Sequence, residues 1–97
     1  MSDPTARTER RLIVVGRVQG VGYRWFARQA AVRLGVAGWT RNMPDGTVVL
    51  EVAARSETLD LFIEELRVGP AAAEVEVVRV AERESSDSLP SHFVVLG

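Results

Sequence analysis

A glycine-rich segment at residues 16–24, with the sequence GRVQGVGYR, holds the residues best suited to chemistry. It joins a strand pattern to a helix pattern, and no Ser, Thr, Asp or Asn precedes the helix to cap it. The first amides of a helix have no intrahelical acceptor, and the helix dipole favours an anion beside them. Gly20 and Gly22 allow the backbone amides to point into one concavity. Because the Arg24 fork can bind two phosphate oxygens, the segment predicts a phosphate site.

This segment differs from the two common nucleotide-binding patterns. It lacks the G-x-x-x-x-G-K-[ST] sequence of a P-loop and the G-x-G-x-x-G sequence of a dinucleotide-binding turn. Nucleotide chemistry is therefore not indicated. From these residues alone, a plain glycine turn followed by a solvated arginine is an equally good interpretation.

The segment GRVQGVGYR resembles the signature of the acylphosphatase family at every position that defines it. The second signature of that family is matched by GWTRN at residues 38–42 and by GTV at residues 46–48. The two motifs are separated as they are in the family, and the resemblance covers residues 11–97. Ala54 replaces a glycine that usually ends the second signature, where we expect a small backbone adjustment. Thr40 stands where a small apolar residue is common.

The resemblance implies an enzyme that hydrolyses the carboxyl–phosphate anhydride of acyl phosphates to carboxylate and inorganic phosphate. It implies that Arg24 binds the phosphoryl group, that Asn42 orients the attacking water, and that a backbone-amide loop forms the phosphate cradle. The residues of that phosphate-binding loop are Gly20, Val21, Gly22, Tyr23 and Arg24. Asn42 considered alone would more often be a turn residue before Pro44. Phosphoryl transfer depends mainly on positioning and charge stabilisation. Because the carboxylate is a good leaving group, a general base is not expected, and the resemblance implies no metal or other cofactor.

The periodicity predicts strands over residues 11–19 and 36–41, a third strand after Gly46, and strands over 75–84 and 92–96. Helices are predicted over residues 23–34 and from an N-cap at Ser56 to Gly69-Pro70. A break in alternation between Val77 and Val78 suggests a bulge. This order indicates an α+β, ferredoxin-like βαββαβ sandwich, an antiparallel sheet with two helices on one face and a short extra C-terminal strand.

Composition limits the classes of function. The 97 residues are 46% hydrophobic with a net charge of −1 and no cysteine, which favours one packed domain and excludes thiolate chemistry. We expect a flexible N-terminal tail over residues 1–10 and a single domain over residues 11–97. The tail lacks the apolar region of a secretory signal, so a cytoplasmic location and no membrane partner are expected. A small acyl phosphate is the expected partner, and the protein is expected to be a monomer.

Two other classes of function remain open at this stage. A non-catalytic module could use the same loop to bind phosphate without turnover. An RNA binder of the same fold would need a basic face and exposed aromatics on its sheet, but Trp39 is the only aromatic of the first four predicted strands. No nucleic-acid partner is therefore expected.

Three further interpretations concern single residues. Trp25, Phe26 and Trp39 are interpreted as packing residues, His92 as structural or exposed, and Asp45 as part of a turn.

Overall fold

The computed structural model describes residues 7–97. Five strands and two helices follow one another in the predicted order, with a short last strand. The elements are β1 (Thr8–Arg17), α1 (Tyr23–Leu34), β2 (Ala37–Asn42), β3 (Val48–Ala54), α2 (Ser56–Val68), β4 (Glu74–Glu82) and β5 (Phe93–Leu96). The predicted helix over residues 23–34 is confirmed at both ends.

The strands form one sheet in the order β4-β1-β3-β2-β5. The pairs β1–β3, β1–β4 and β2–β3 are antiparallel, so the four strands of the βαββαβ unit form the predicted antiparallel sheet. The extra strand β5 instead pairs in parallel with β2, and the complete sheet is therefore mixed. The ferredoxin-like sandwich is confirmed, and β5 lies beside the strand that carries Asn42.

The core lies between the sheet and the two helices. Alternate residues of the central strands, such as Leu12, Val14 and Leu50, are fully buried on the helix-facing side. Helix α1 contributes small alanines to this core, whereas α2 contributes Leu59, Phe62, Ile63 and Leu66. This rigid layer fixes the start of α1 and the end of β2 relative to each other. No helix within residues 7–97 has the length and apolar character needed to cross a membrane.

The first strand begins earlier than expected. Thr8, Glu9 and Arg10 pair with residues 52–54 of β3, so the last three residues of the predicted tail are part of the sheet. Because these three side chains are polar, the hydrophobic pattern did not predict that they belong to the strand. Residues 1–6 of the predicted tail lie outside the described residues.

Two local predictions need correction. Ser56 is the first helical residue of α2 and not its N-cap, because Arg55 has the extended backbone (φ −63°, ψ 149°) of the capping position. The predicted bulge occurs one residue earlier: Val15 pairs with Val77 and Gly16 with Val75, which leaves Glu76 without a direct partner on β1. A Cβ on Gly16 would lie 2.1 Å from the Glu74 carbonyl oxygen, so this bulge requires glycine there.

Candidate active site

A cleft of about 550 Å³ opens where the loop before α1, the end of β2 and strand β5 meet. Four of the five predicted loop residues line this cleft, and so does Asn42, which comes from a different strand. Val21 is the exception, because its side chain packs against the hydrophobic core. The cleft lining comprises Val18, Gly20, Gly22, Tyr23, Arg24, Trp25, Arg28, Asn42, Phe93, Val94 and Val95.

The loop has the backbone that an anion cradle requires. Gly20 and Gly22 adopt φ values of +75° and +77°, in the left-handed region that residues with a Cβ avoid. Gly22 is the N-cap of α1, with no side-chain hydrogen bond to the helix amides and no acidic residue in the first turn. These amides therefore keep their capacity to bind an anion, and the dipole of α1 adds positive potential.

Arg24 lies in the first turn of α1, and its guanidinium is anchored at one end. Its Nη1 donates a hydrogen bond of 2.7 Å to the carbonyl oxygen of Leu96 in β5. A guanidinium has five N–H donors in a fixed fork, so this bond orients the group and leaves other donors for a ligand. The short C-terminal strand thus has a defined part in the site, since it holds the arginine against the cleft.

Asn42 is the last residue of β2 and lies on the same side of that strand as the buried Thr40. The Asn42 Oδ1 atom is buried and accepts no hydrogen bond within residues 7–97. An unpaired buried acceptor costs about 1–3 kcal/mol. A donor that reached this oxygen would remove the cost, which makes the carboxamide suited to holding a polar ligand.

Gln19 joins the glycine loop to the turn after Asn42, a role that sequence reasoning missed. Its Nε2 donates to the carbonyl oxygens of Met43 at 2.7 Å and of Thr47 at 2.8 Å. The turn is closed independently by Asp45, whose Oδ1 accepts from the amide and hydroxyl of Thr47. Those bonds lower the pKa of the Asp45 carboxyl, in agreement with its predicted place in the turn. The only signal for Gln19 was its position inside the first signature.

Tyr23 belongs to the core through its ring. The ring is buried and tilted against Phe26, and the hydroxyl donates to the Leu66 carbonyl oxygen at 2.7 Å. Burial raises the pKa of the Tyr23 hydroxyl, so this group stays protonated at neutral pH. Its contribution to the cleft is therefore structural.

Trp25 departs from its predicted packing role, because the residue is 58% exposed. Its ring lies under the Arg28 guanidinium, whose Cζ is 5.5 Å from the ring centroid. Arg28 lies one helical turn beyond Arg24 on the same face of α1, and sequence reasoning did not single it out. Trp39 lies outside the cleft beside Arg41. His92 is exposed, which agrees with one of the two interpretations given for it.

The ionisable groups of the cleft differ from those of a metal site. Among residues 7–97, no group of three or more His, Cys, Asp or Glu side chains is placed to hold a metal ion. The charged side chains that line the cleft are those of Arg24 and Arg28, and no Asp or Glu side chain lines it within the described part of the chain. The arrangement suits an anionic ligand.

Comparisons with known proteins agree with this geometry. The sequence model of a family described as Acylphosphatase matches residues 10–95. An acylphosphatase of Koribacter versatilis is 49% identical over 83 residues, 84% of this chain and 74% of that protein. An acylphosphatase of Bordetella parapertussis is 44% identical over 96 residues, 99% of this chain and 100% of that protein.

Similarity in structure extends over the same region. The crystal structure of acylphosphatase from Bacillus subtilis superposes with a TM-score of 0.85 at 32% identity, covering 95% of this chain and 100% of that one. The sequence matches, this superposition and the ferredoxin-like sheet agree with one another. The chain therefore belongs to the acylphosphatase family, whose enzymes hydrolyse acyl phosphates.

Proposed function

We propose that the chain hydrolyses acyl phosphates in the cleft at the start of α1, using Arg24 and the amides of residues 20–24 to bind the phosphoryl group and Asn42 to orient water. The observation that carries the proposal is the convergence on one cleft of an uncapped helix start, the anchored Arg24 and Asn42. The helix start and Arg24 suit the phosphoryl oxygens, and Asn42 suits the attacking water.

The phosphoryl group carries negative charge that spreads over its oxygens in the transition state. Amides fixed by the loop and the guanidinium of Arg24 stabilise that charge without rearranging, because the sheet and α1 already hold them. The anchor on the Leu96 carbonyl oxygen limits the motion of Arg24. Binding and charge stabilisation are therefore the main contribution of this loop.

Water attacks phosphorus, the bond between phosphorus and the acyl oxygen breaks, and the carboxylate leaves with that electron pair. The proton lost by water passes to phosphate or solvent. Asn42 holds the water after its carboxamide turns toward the cleft, so that its oxygen, which has no donor within residues 7–97, accepts a hydrogen bond from the water. Because a carboxylate is a good leaving group, protonation of the leaving oxygen is not needed.

Hydrolysis of benzoyl phosphate by purified protein, with EDTA present, tests this function. Arg24→Ala removes both charge and donors, so kcat/KM should fall by at least about 100-fold, the usual cost of losing one preorganised donor. Arg33→Ala is the matched control, because Arg33 lies on the same helix, lines no part of the cleft and pairs at the surface with Glu65. It should keep nearly full activity.

Two results would refute the proposal. Phosphate binding without turnover would indicate a phosphate-binding module. A folded Arg24→Ala protein with nearly wild-type turnover would show that the phosphoryl group is bound elsewhere. Turnover that EDTA abolishes would contradict the expectation that the reaction needs no metal.

A further inference from the structure

The cleft contains a second guanidinium besides that of Arg24. Arg24 and the amides of the loop already suit one phosphoryl group, and the Arg28 guanidinium lines the same cleft. No Asp or Glu side chain of the described residues lines this cleft, and Arg28 forms no ion pair within residues 7–97. Its charge therefore faces the cleft without compensation from the described residues.

Arg28 is held in place by its neighbour on the helix. Its Cζ lies 5.5 Å from the centroid of the Trp25 ring, within the range of a cation–π contact. Trp25 is itself 58% exposed, so it contributes a platform at the cleft and not core packing. An arginine held on such a platform loses less freedom when it binds a ligand.

The spacing of the two arginines defines where a ligand would extend. Residues four apart on a helix share one face, with Cβ atoms about 5–6 Å apart. Phe93 and Val94 of β5 also line the cleft. Arg28 and Phe93 also line an adjoining groove between α1 and the residues before β5. An acyl group attached to a phosphoryl group at Arg24 would therefore extend past Arg28.

We propose that the preferred substrates are acyl phosphates whose acyl group carries a second anionic group, a carboxylate or a phosphate, and that Arg28 determines this specificity. The inference rests on the proposed function, since it requires the phosphoryl group to lie at Arg24. Arg28 binds the second anion by a charge-assisted hydrogen bond, with Trp25 orienting its guanidinium.

Succinyl phosphate and butyryl phosphate form a matched pair, because they have acyl chains of equal length and differ in one terminal carboxylate. Wild-type protein should show kcat/KM roughly tenfold higher for succinyl phosphate, as expected for one charged hydrogen bond. Arg28→Gln should abolish this preference, so that kcat/KM for succinyl phosphate falls to that for butyryl phosphate measured in the same variant. Arg28→Lys should restore part of it, and added salt should weaken it in the wild-type protein.

Arg33→Gln is the control, since Arg33 lies on the same helix but lines no part of the cleft. Equal kcat/KM for the two substrates, or a preference that survives Arg28→Gln, would overturn the specificity while leaving the hydrolase intact. If neither substrate is turned over, the proposed function fails. Calorimetry with the corresponding acyl phosphonates then tests Arg28 separately: tighter binding of the succinyl compound, lost in Arg28→Gln, supports the site, and equal binding overturns it.

Discussion

At the scale of single residues, the proposed site has two main side chains: the charged guanidinium of Arg24, which binds the phosphoryl group, and the carboxamide of Asn42, which orients water. Arg24 has physical support independent of family resemblance, because it adds a charged fork to an uncapped helix start. Asn42 was assigned from the second signature alone, and its unpaired buried oxygen now gives a physical reason for a polar ligand. Replacing Arg24 should therefore weaken phosphate binding as well as turnover, whereas replacing Asn42 should lower turnover alone.

Asn42→Ala should lower kcat for benzoyl phosphate by roughly 100-fold while changing the inhibition constant of inorganic phosphate by less than about threefold. Turnover depends on the position of water, whereas phosphate binding depends on the loop and Arg24. Gln29→Ala is a suitable control, since it removes an exposed carboxamide of α1 that does not line the cleft. A parallel loss of phosphate affinity and kcat would show that Asn42 binds the anion.

At the scale of elements, the site depends on how a loop and a hairpin turn are joined. Gln19 connects them through two hydrogen bonds to backbone carbonyl oxygens beside Asn42. Strand β5 adds a third element, since its Leu96 carbonyl oxygen anchors Arg24. Three separate parts of the chain therefore set the distance between the phosphate cradle and the proposed water site.

Gln19→Ala removes both hydrogen bonds, so the free energy of unfolding should fall by about 1–3 kcal/mol. Because a small displacement of a reacting group is costly, kcat should also fall by roughly 10- to 100-fold, with little change in KM. Urea unfolding and steady-state kinetics measure the two effects. A protein that loses stability but keeps its kcat would show that Gln19 is structural and does not position Asn42.

At the scale of the whole molecule, a buried charge network lies on the sheet face opposite the helices. The Glu51 carboxylate, 6% exposed, accepts hydrogen bonds from Arg11 at 2.6 Å and from Arg83 at 2.7 Å. The Arg83 side chain is 4% exposed and also pairs with Glu9. Because Arg83 follows β4, the network attaches the chain between β4 and β5 to the central strands.

The network makes stability depend on pH. Burial is the largest single influence on Glu51 and raises the pKa of its carboxyl, but bonds and attraction from Arg83 and Arg11 together outweigh it. The net pKa is lowered from the ordinary 4.5. Ionised Glu51 therefore stabilises the fold fully above that value, and this stability is lost as the pH falls through the lower folded-state pKa.

Glu51→Gln should lower the free energy of unfolding at neutral pH by on the order of 3 kcal/mol, because Arg83 stays buried with only part of its compensation. The variant should also lose less stability than the wild type between about pH 5 and about pH 3. Urea unfolding across that range measures both effects. Glu57→Gln is the control, since Glu57 is exposed and its pair with Arg55 contributes little. Equal pH dependence in the wild type and Glu51→Gln would contradict the account.

Much of this organisation is visible in the sequence where periodicity and turn chemistry are local. The alternation of β1, the glycines of the loop and the helical spacing of α1 predict the first half of the βαββαβ order, and the Pro-Asp-Gly turn and the apolar stripe of α2 predict the second half. The sequence could not predict that β5 pairs in parallel with β2, or that polar residues 8–10 extend β1, because these depend on the partner strand. The Glu51 network likewise joins residues that are distant in the chain.

A crystal structure with bound phosphate would test the central claim most directly. Phosphate oxygens should lie about 2.7–3.2 Å from the amides of residues 20–24 and from the Arg24 guanidinium. An ordered water should lie between phosphorus and the Asn42 carboxamide. A phosphate bound away from this loop, or one that contacts neither Arg24 nor the amides at the start of α1, would contradict the account.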